Sequence, residues 1–285
     1  MILIIGATGR TGSLAAKALA KTGVQLRALV RNETKAASLR DLGIEVVIGD
    51  LSDQHDVQMA LEGAKKTLLI TPNNEQQLSL ERSFLDNAQE AGVDHIAYLS
   101  STESVPENHR AIPQVHVEIE NQLRKSNMQW TMIRPNFFMQ NLFMFAPSIK
   151  KDGSFVFPAE DGKTAMADLR DVASVISVVL TTGGHENKSY DITGPELLTF
   201  YDVANQLTEA LGKKIHYRSQ SLEKYRAYLS GFLRSDWHLN AVCELMEEVG
   251  QGGLDYTTDT VRTVLGRDST SLGQFLRDHI SVFEG

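Results

Sequence analysis

The sequence predicts an α/β fold: a doubly wound parallel sheet with a smaller, mainly helical C-terminal lobe. Three observations carry that expectation. Short apolar, β-branched runs recur at residues 2–5, 25–30, 44–48, 67–70, 95–99 and 130–133. Stretches with helical spacing separate them, and several runs are apolar without alternation, as in strands covered on both faces. Strands alternating with helices connect by right-handed crossovers and assemble a parallel sheet. A length of 285 residues admits one large α/β unit, or a main domain with a smaller companion.

Taken in order, the first run ends at Gly6 and leads into a helix over 13–22. There Leu14, Ala15, Ala18 and Leu19 share one face, while Lys17 and Lys21 fall on the other. Gly23 and Gly43 each stand between a helix and the next strand, and Gly92 plays the same part after the helix ending near Ala91. Asp53 can cap a helix running to Glu62, which Gly63 can end. After Arg134 and Pro135 the rhythm changes. Residues 137–158 carry Phe137, Phe138, Phe143, Phe145, Phe155 and Phe157, an aromatic density that the first half lacks. Residues 167–180 read as a helix and 189–192 as a strand, so the sheet resumes there. From Thr199 onward the pattern is helical, with a β signal around 215–217. The expected main domain therefore spans 1–134 plus 167–194, and the smaller lobe 135–166 plus 195–285.

Composition narrows the function classes. Apolar residues make up 42% and charged residues 22%, the balance of a folded globular chain. Asp plus Glu number 36 against 28 Lys plus Arg, a net charge of -8. An acidic surface repels phosphate backbones, so no nucleic-acid partner is expected. One cysteine, Cys243, excludes an intrachain disulfide and a Cys-rich zinc site, and it fits a reducing, cytoplasmic setting. Gly6 cuts the opening apolar run far short of a signal-peptide core, and no stretch approaches the roughly 18 apolar residues of a membrane span. Neither a metal site nor a membrane is expected.

The segment Gly6-Ala7-Thr8-Gly9-Arg10-Thr11-Gly12 follows the first strand and opens the first helix. Its spacing is Gly-x-x-Gly-x-x-Gly. Glycines at such a turn let the backbone approach a pyrophosphate, whose charge meets the free amides of the helix N-terminus. Thr8 and Thr11 add hydroxyls, and Arg10 adds charge; the alternative is a tight turn with no ligand. The second strand ends Leu29-Val30-Arg31-Asn32, without the acid that a NAD-preferring site places there. A guanidinium at Arg31 suits a 2′-phosphate, with Lys35 one helical turn further, so NADP(H) is expected over NAD(H). Both are alternatively solvated surface charges. Asp50 and Leu51 follow the third strand, where a carboxylate can take an adenine amino group and a leucine can cover its ring. Asp50 can equally be a turn residue. Thr71 and Pro72 follow the fourth strand, Ser100 and Ser101 the fifth, at the sheet edge where ligands of such folds collect.

These segments, with Val30-Arg31-Asn32, Gly49-Asp50-Leu51, Arg134-Pro135-Asn136-Phe137-Phe138, Asn141, Tyr190-Asp191-Ile192-Thr193-Gly194-Pro195 and Thr263-Val264-Leu265-Gly266-Arg267, resemble the NmrA-like, atypical short-chain dehydrogenase/reductase family. Within it the resemblance leads to the bacterial quinone reductase and triphenylmethane-dye reductase branch. It implies an NADP-binding Rossmann domain with a small lobe beside a substrate cleft. It also implies that Pro135, Asn136 and Phe138 lie against the nicotinamide. Asn136 stands where relatives often carry glycine, although Asn tolerates unusual dihedrals.

Typical short-chain dehydrogenases pair a tyrosine with a lysine four residues on, and none of the seven tyrosines here is so followed. His116 and Glu120 take the two positions by spacing, on one helix face. In the functional reading His116 bonds the nicotinamide ribose or donates a proton, with Glu120 holding its tautomer. In the bland one they form a helix-surface hydrogen bond. Phe137 and Phe143, with Ser101, are candidates to line the site of a flat conjugated organic substrate, or the rings are core packing. Hydride delivery to such an acceptor needs mainly a well-held cofactor. The expected activity is an NADP(H)-binding oxidoreductase acting on a quinone-like or other conjugated acceptor. A non-enzymatic NADP-binding redox sensor is the alternative, and a homodimer is left open.

Overall fold

The computed structural model describes residues 1–233 and 235–284. In chain order its strands are β1 (Ile2–Ile5), β2 (Leu26–Val30), β3 (Glu45–Ile48), β4 (Lys66–Leu69) and β5 (His95–Leu99). They continue with β6 (Gln129–Pro135), β7 (Ser154–Phe157), β8 (Lys188–Ile192) and β9 (His216–Ser219). The first seven helices are α1 (Arg10–Ala20), α2 (Glu33–Arg40), α3 (Gln54–Leu61), α4 (Gln77–Glu90), α5 (Ala111–Lys125), α6 (Ala146–Asp152) and α7 (Leu169–Thr181). The rest are α8 (Phe200–Leu211), α9 (Leu222–Leu229), α10 (Asp236–Gly250), α11 (Thr260–Leu265), α12 (Leu272–Asp278) and α13 (Ile280–Phe283).

The expected doubly wound sheet is present. Its seven strands run in the order β3-β2-β1-β4-β5-β6-β8, and the pairings from β3 to β6 are parallel. Strand order reverses between β1 and β4, so the carboxyl ends there form the crevice in which such sheets take ligands. The chain divides into two compact units. The first comprises Met1–Glu107, Ile112–Arg134 and Leu169–Asp191; the second comprises Asn108–Ala111, Pro135–Asp168 and Ile192–Gly285.

In the first unit, one face of the sheet packs Leu3, Leu69, Ile96 and Tyr98 against Phe84 and Leu85 of α4 and Ile119 and Leu123 of α5. On α1, Ala15, Ala16 and Leu19 are buried, and this helix packs on α7. Helix α1 starts at Arg10, three residues before the expected onset, because Gly9 already has the extended dihedrals of an N-cap. Helix α3 behaves as its sequence predicts, with the Asp53 carboxylate accepting from the amides of His55 and Asp56.

The second unit holds a feature the sequence reading lacked. Strands β7 and β9 pair in parallel as a separate two-stranded sheet, Phe155 opposite Tyr217 and Phe157 opposite Ser219. Phe145, Phe155, Phe157, Phe200 and Tyr217 meet in stacked, tilted and edge-on pairs around it, which explains the aromatic density after residue 136. Among the described residues, no helix is long and apolar enough to cross a membrane.

Candidate functional site

The glycine turn is built for close approach. Gly6 has φ +82°, and a Cβ there would collide with the carbonyl of Ile70 beyond β4. A Cβ on Gly12 would run into the carbonyl of Gly6, so α1 rests directly on the turn. The Gly9 amide donates to Gly6 O at 3.0 Å. No side chain caps α1, and its first turn holds no acid, so its N-terminus presents amides and positive dipole to an anion. Thr8, Gly9 and Arg10 are exposed, whereas Thr11 and Gly12 are buried.

At the end of β2, Arg31 is exposed and makes no ion pair with another described residue. The nearest acid in sequence, Glu33, is taken by Arg40 through both carboxylate oxygens, and that hydrogen bonding lowers the Glu33 carboxyl. The positive charge of Arg31 is therefore left uncompensated by Glu33. Lys35 is exposed on α2, which Asn32 caps through the Thr34 amide at 2.8 Å. After β3, Asp50 is half-buried and serves as a turn residue. Its Oδ1 accepts from the Ser52 amide and hydroxyl at 2.9 and 2.7 Å. Those bonds, then the charge of Arg31, lower the Asp50 carboxyl against its partial burial. Leu51 is half-buried beside it and packs on the core of the first unit.

The ends of β4 and β5 lead inward. Pro72 is exposed, but the Thr71 hydroxyl donates to Glu81 on α4. Glu81 also accepts from Tyr98 Oη at 2.9 Å and Gln77 Nε2 at 3.3 Å. Burial pushes its carboxyl up to about 7, because all three partners are neutral. Tyr98 Oη lies 2.6 Å from His116 Nδ1. Burial lowers His116 to about 4, so the ring is uncharged at neutral pH. Burial and the nearby Glu81 push the Tyr98 phenol well above its ordinary value.

This geometry corrects the location and the bonding expected of the His116 and Glu120 pair. The two side chains are buried rather than on the helix surface, and Tyr98, not Glu120, holds the imidazole. Glu120 accepts from Arg134 Nε and Arg124 Nη2, each at 2.7 Å, and from a second Arg134 nitrogen. Burial would raise its carboxyl, but the hydrogen bonds and charge of Arg134, joined by Ser100 and Arg124, hold it low. Ser100 also departs from expectation. It is buried, and its hydroxyl donates to Glu120 Oε1 at 2.7 Å, because an ionised carboxylate is the strongest acceptor within reach. Ser101 is half-buried, 3.0 Å from the Ser104 hydroxyl.

The remaining expected residues belong to the second unit. Pro135 is buried at the end of β6. Asn136 is buried, and both the nitrogen and the oxygen of its side-chain amide are bonded there. Nδ2 donates to Leu254 O at 3.2 Å, and Oδ1 accepts from Thr164 Oγ1 and the Phe137 amide, both at 2.7 Å. Among the described residues other than glycine, positive φ occurs at Glu160 and Asn187, so Asn136 needs no unusual dihedral. Phe137 meets Phe157 and Phe200 edge-on. Phe143 stacks on Phe275 with centroids 5.4 Å apart and touches Phe283. Both rings are thus engaged in the packing of this unit, as in the core alternative. Phe138 is half-buried and bridges to Ala167. Two functional-site neighbours escaped the sequence reading altogether: Glu81 and Tyr98.

Known proteins agree with this architecture along the whole chain. It is 33% identical to the NAD(P)H azoreductase of Xenophilus azovorans over 283 residues, 99% of either protein. The crystal structure of the NADPH-dependent quinone oxidoreductase of Escherichia coli complexed with NADPH superposes with a TM-score of 0.90 at 31% identity. It covers 99% of this chain and 100% of that one. The Citrobacter sp. triphenylmethane reductase complexed with NADP(H) superposes with a TM-score of 0.88 at 26% identity, over 97% and 99% of the two chains. Residues 1–276 match the NmrA-like family, and the chain is a member of it.

Proposed function

We propose that this protein is an NADP(H)-dependent oxidoreductase that passes a hydride to a quinone-like or other conjugated acceptor. The observation that carries the reading is the turn from Gly6 to Gly12, a cradle that Cβ atoms would fill, placed at the switch point of the sheet. The dinucleotide, when bound, supplies the hydride. Gly6, Gly9 and Gly12, with Thr8, Arg10 and Thr11, would hold its pyrophosphate. Arg31 and Lys35 would meet a 2′-phosphate, which favours NADPH over NADH. Asp50 and Leu51 would face the adenine, and Thr71 and Pro72 stand at the next strand end towards the nicotinamide.

The acceptor class follows from chemistry. The azoreductase and the quinone oxidoreductase that this chain resembles are named for substrates whose conjugation spreads an incoming electron pair. Such an acceptor develops less localised charge than a ketone. A neutral His116 in place of a tyrosine and lysine pair fits that lighter demand. The test is NADPH oxidation with a panel of small quinones and an azo dye. Turnover above about 1 per second, within the ordinary enzyme range, is the expected result. Tight NADPH binding with no turnover of any acceptor would overturn the enzyme reading and favour a redox sensor.

A further inference from the structure

Four side chains of the first unit form one hydrogen-bonded chain, which begins at Thr71 and runs inward from the end of β4. Thr71 donates to Glu81 Oε1, Tyr98 Oη bonds Glu81 Oε2 at 2.9 Å, and the same phenol oxygen lies 2.6 Å from His116 Nδ1. Glu81, Tyr98 and His116 are buried; Thr71 is half-buried. A phenol has a single proton to give, so the state of one neighbour dictates that of the other. With Glu81 ionised, Tyr98 donates to it, and His116 must donate from Nδ1 to the phenol oxygen. With Glu81 protonated, Glu81 donates to Tyr98, Tyr98 donates to Nδ1, and the imidazole proton sits on Nε2. Nε2 makes no hydrogen bond with another described residue.

We propose that Glu81 is the proton reservoir of a relay through Tyr98 to His116, and that the Nε2 proton of His116 completes reduction of the acceptor. This rests on the oxidoreductase reading above. Hydride addition leaves the acceptor with a negative charge on oxygen or nitrogen. The Nε2–H bond breaks as that atom is protonated, the Tyr98 proton passes to Nδ1, and the Glu81 proton passes to Tyr98. In sum Glu81 loses one proton and the reduced acceptor gains it, while His116 changes tautomer and no side chain is oxidised. Water returns the proton to Glu81 Oε1 by way of Thr71, the member of the chain nearest solvent, and a turn of the carboxyl group brings it to Oε2 beside Tyr98.

The surroundings suit this task. Gln77 faces Glu81 from its own helix, Glu120 on α5 acts on Tyr98 and His116 through space, and Arg134 on β6 acts on His116. Helix α3 turns the apolar Val57, Ala60 and Leu61 inward. The α4 to α5 pairs, Arg82 with Glu118 and Asp86 with Gln122, lie exposed. Glu81 near 7 populates both protonation states around neutral pH, whereas His116 near 4 stays uncharged and moves protons by tautomer exchange.

The experiment is nitrogen-15 NMR of histidine-labelled protein from pH 5 to 9, the His116 signal being assigned by its loss in His116→Phe. The expected result is an Nε2–H tautomer in acid that gives way to Nδ1–H across about pH 7. In Glu81→Gln one tautomer should persist throughout. A tautomer that stays fixed in the natural protein, or an unchanged transition in Glu81→Gln, overturns the relay. In turnover with NADPH and p-benzoquinone, kcat should fall above pH 7, and Glu81→Gln should abolish that dependence. Tyr98→Phe should lower kcat about 100-fold, the low end of what a positioned acid supplies, with KM for NADPH unchanged. A tautomer switch without turnover of any acceptor overturns the oxidoreductase reading alone; turnover with a fixed tautomer overturns the relay alone.

Discussion

Glu81 and Glu120 lie on neighbouring helices of one unit, and each is 1% exposed. Their environments nevertheless drive them apart. Glu81 has three hydrogen-bond donors, Thr71, Tyr98 and Gln77, all neutral, and its carboxyl is pushed up to about 7. Glu120 has Ser100 and two guanidinium groups, and it stays ionised. Burial penalises both charges, and neutral donors do not offset it whereas cations do. One carboxylate is thus a fixed anchor, the other a group that changes state in the physiological range.

That contrast can be broken first at the anchor. Glu120→Ala would leave Arg134 beside an empty acceptor site, and breaking a buried pair of this kind costs about 4 kcal/mol. Urea unfolding at pH 7 should show the loss as a lower midpoint with an unchanged slope. Because the folded-state value of Glu120 is lowered, its contribution is present above the ordinary carboxylate range and disappears as pH falls through that folded value. The variant should therefore lose this acid sensitivity.

Glu81 runs with the opposite sign. Its value rises on folding from an ordinary 4.5 to about 7, so its stabilisation is complete below 4.5 and fades as pH climbs through 7. Glu81→Gln should remove that decline, changing the stability difference between pH 4.5 and 8 by about 3 kcal/mol. Parallel pH slopes in both proteins would refute a raised carboxyl. The histidines do not mimic this, since the lowered values of His116 and His95 make stability rise with pH, not fall.

An exposed cation sharpens the comparison further. Arg134 is committed to a buried partner, while Arg31 stands exposed without one. Arg31→Ala should leave folding nearly untouched and weaken NADPH by about 2 kcal/mol, roughly 30-fold, with NADH changed less than twofold. Calorimetric titration of both cofactors checks this, and equal losses would remove Arg31 from the phosphate site. The smallest effect is expected next door. Asn32→Ala deletes the cap of α2 and should cost about 1 kcal/mol of stability at any salt concentration.

The sheet was legible because its strands are short apolar runs between helical stretches; residues 95–99 coincide with β5. The glycine turn was legible for the same local reason. Glu81 was missed although its place had a signal: it stands three or four residues from Leu78, Phe84 and Leu85, on the apolar stripe of α4. A carboxylate there reads as an interruption until a neighbouring strand supplies the phenol. The His116 and Glu120 spacing predicted a shared helix face correctly and a shared bond wrongly, since Tyr98 and Arg134 come from other strands. Strand β7 was hidden in an aromatic run, where the alternation of Phe155 and Phe157 is short and its partner lies some sixty residues downstream. Asn136 likewise depends on Leu254, far along the chain. What was missed is tertiary, made by residues distant in sequence.

The packing of α1 on α7 has a consequence for biosynthesis. Ala15, Ala16 and Leu19 leave the ribosome before the helix that packs over α1, Leu169–Thr181, which is translated some 150 residues afterwards. A nascent chain making about 5–20 residues per second would display that sticky stripe for roughly 8 to 30 seconds, long enough for a chaperone to be engaged.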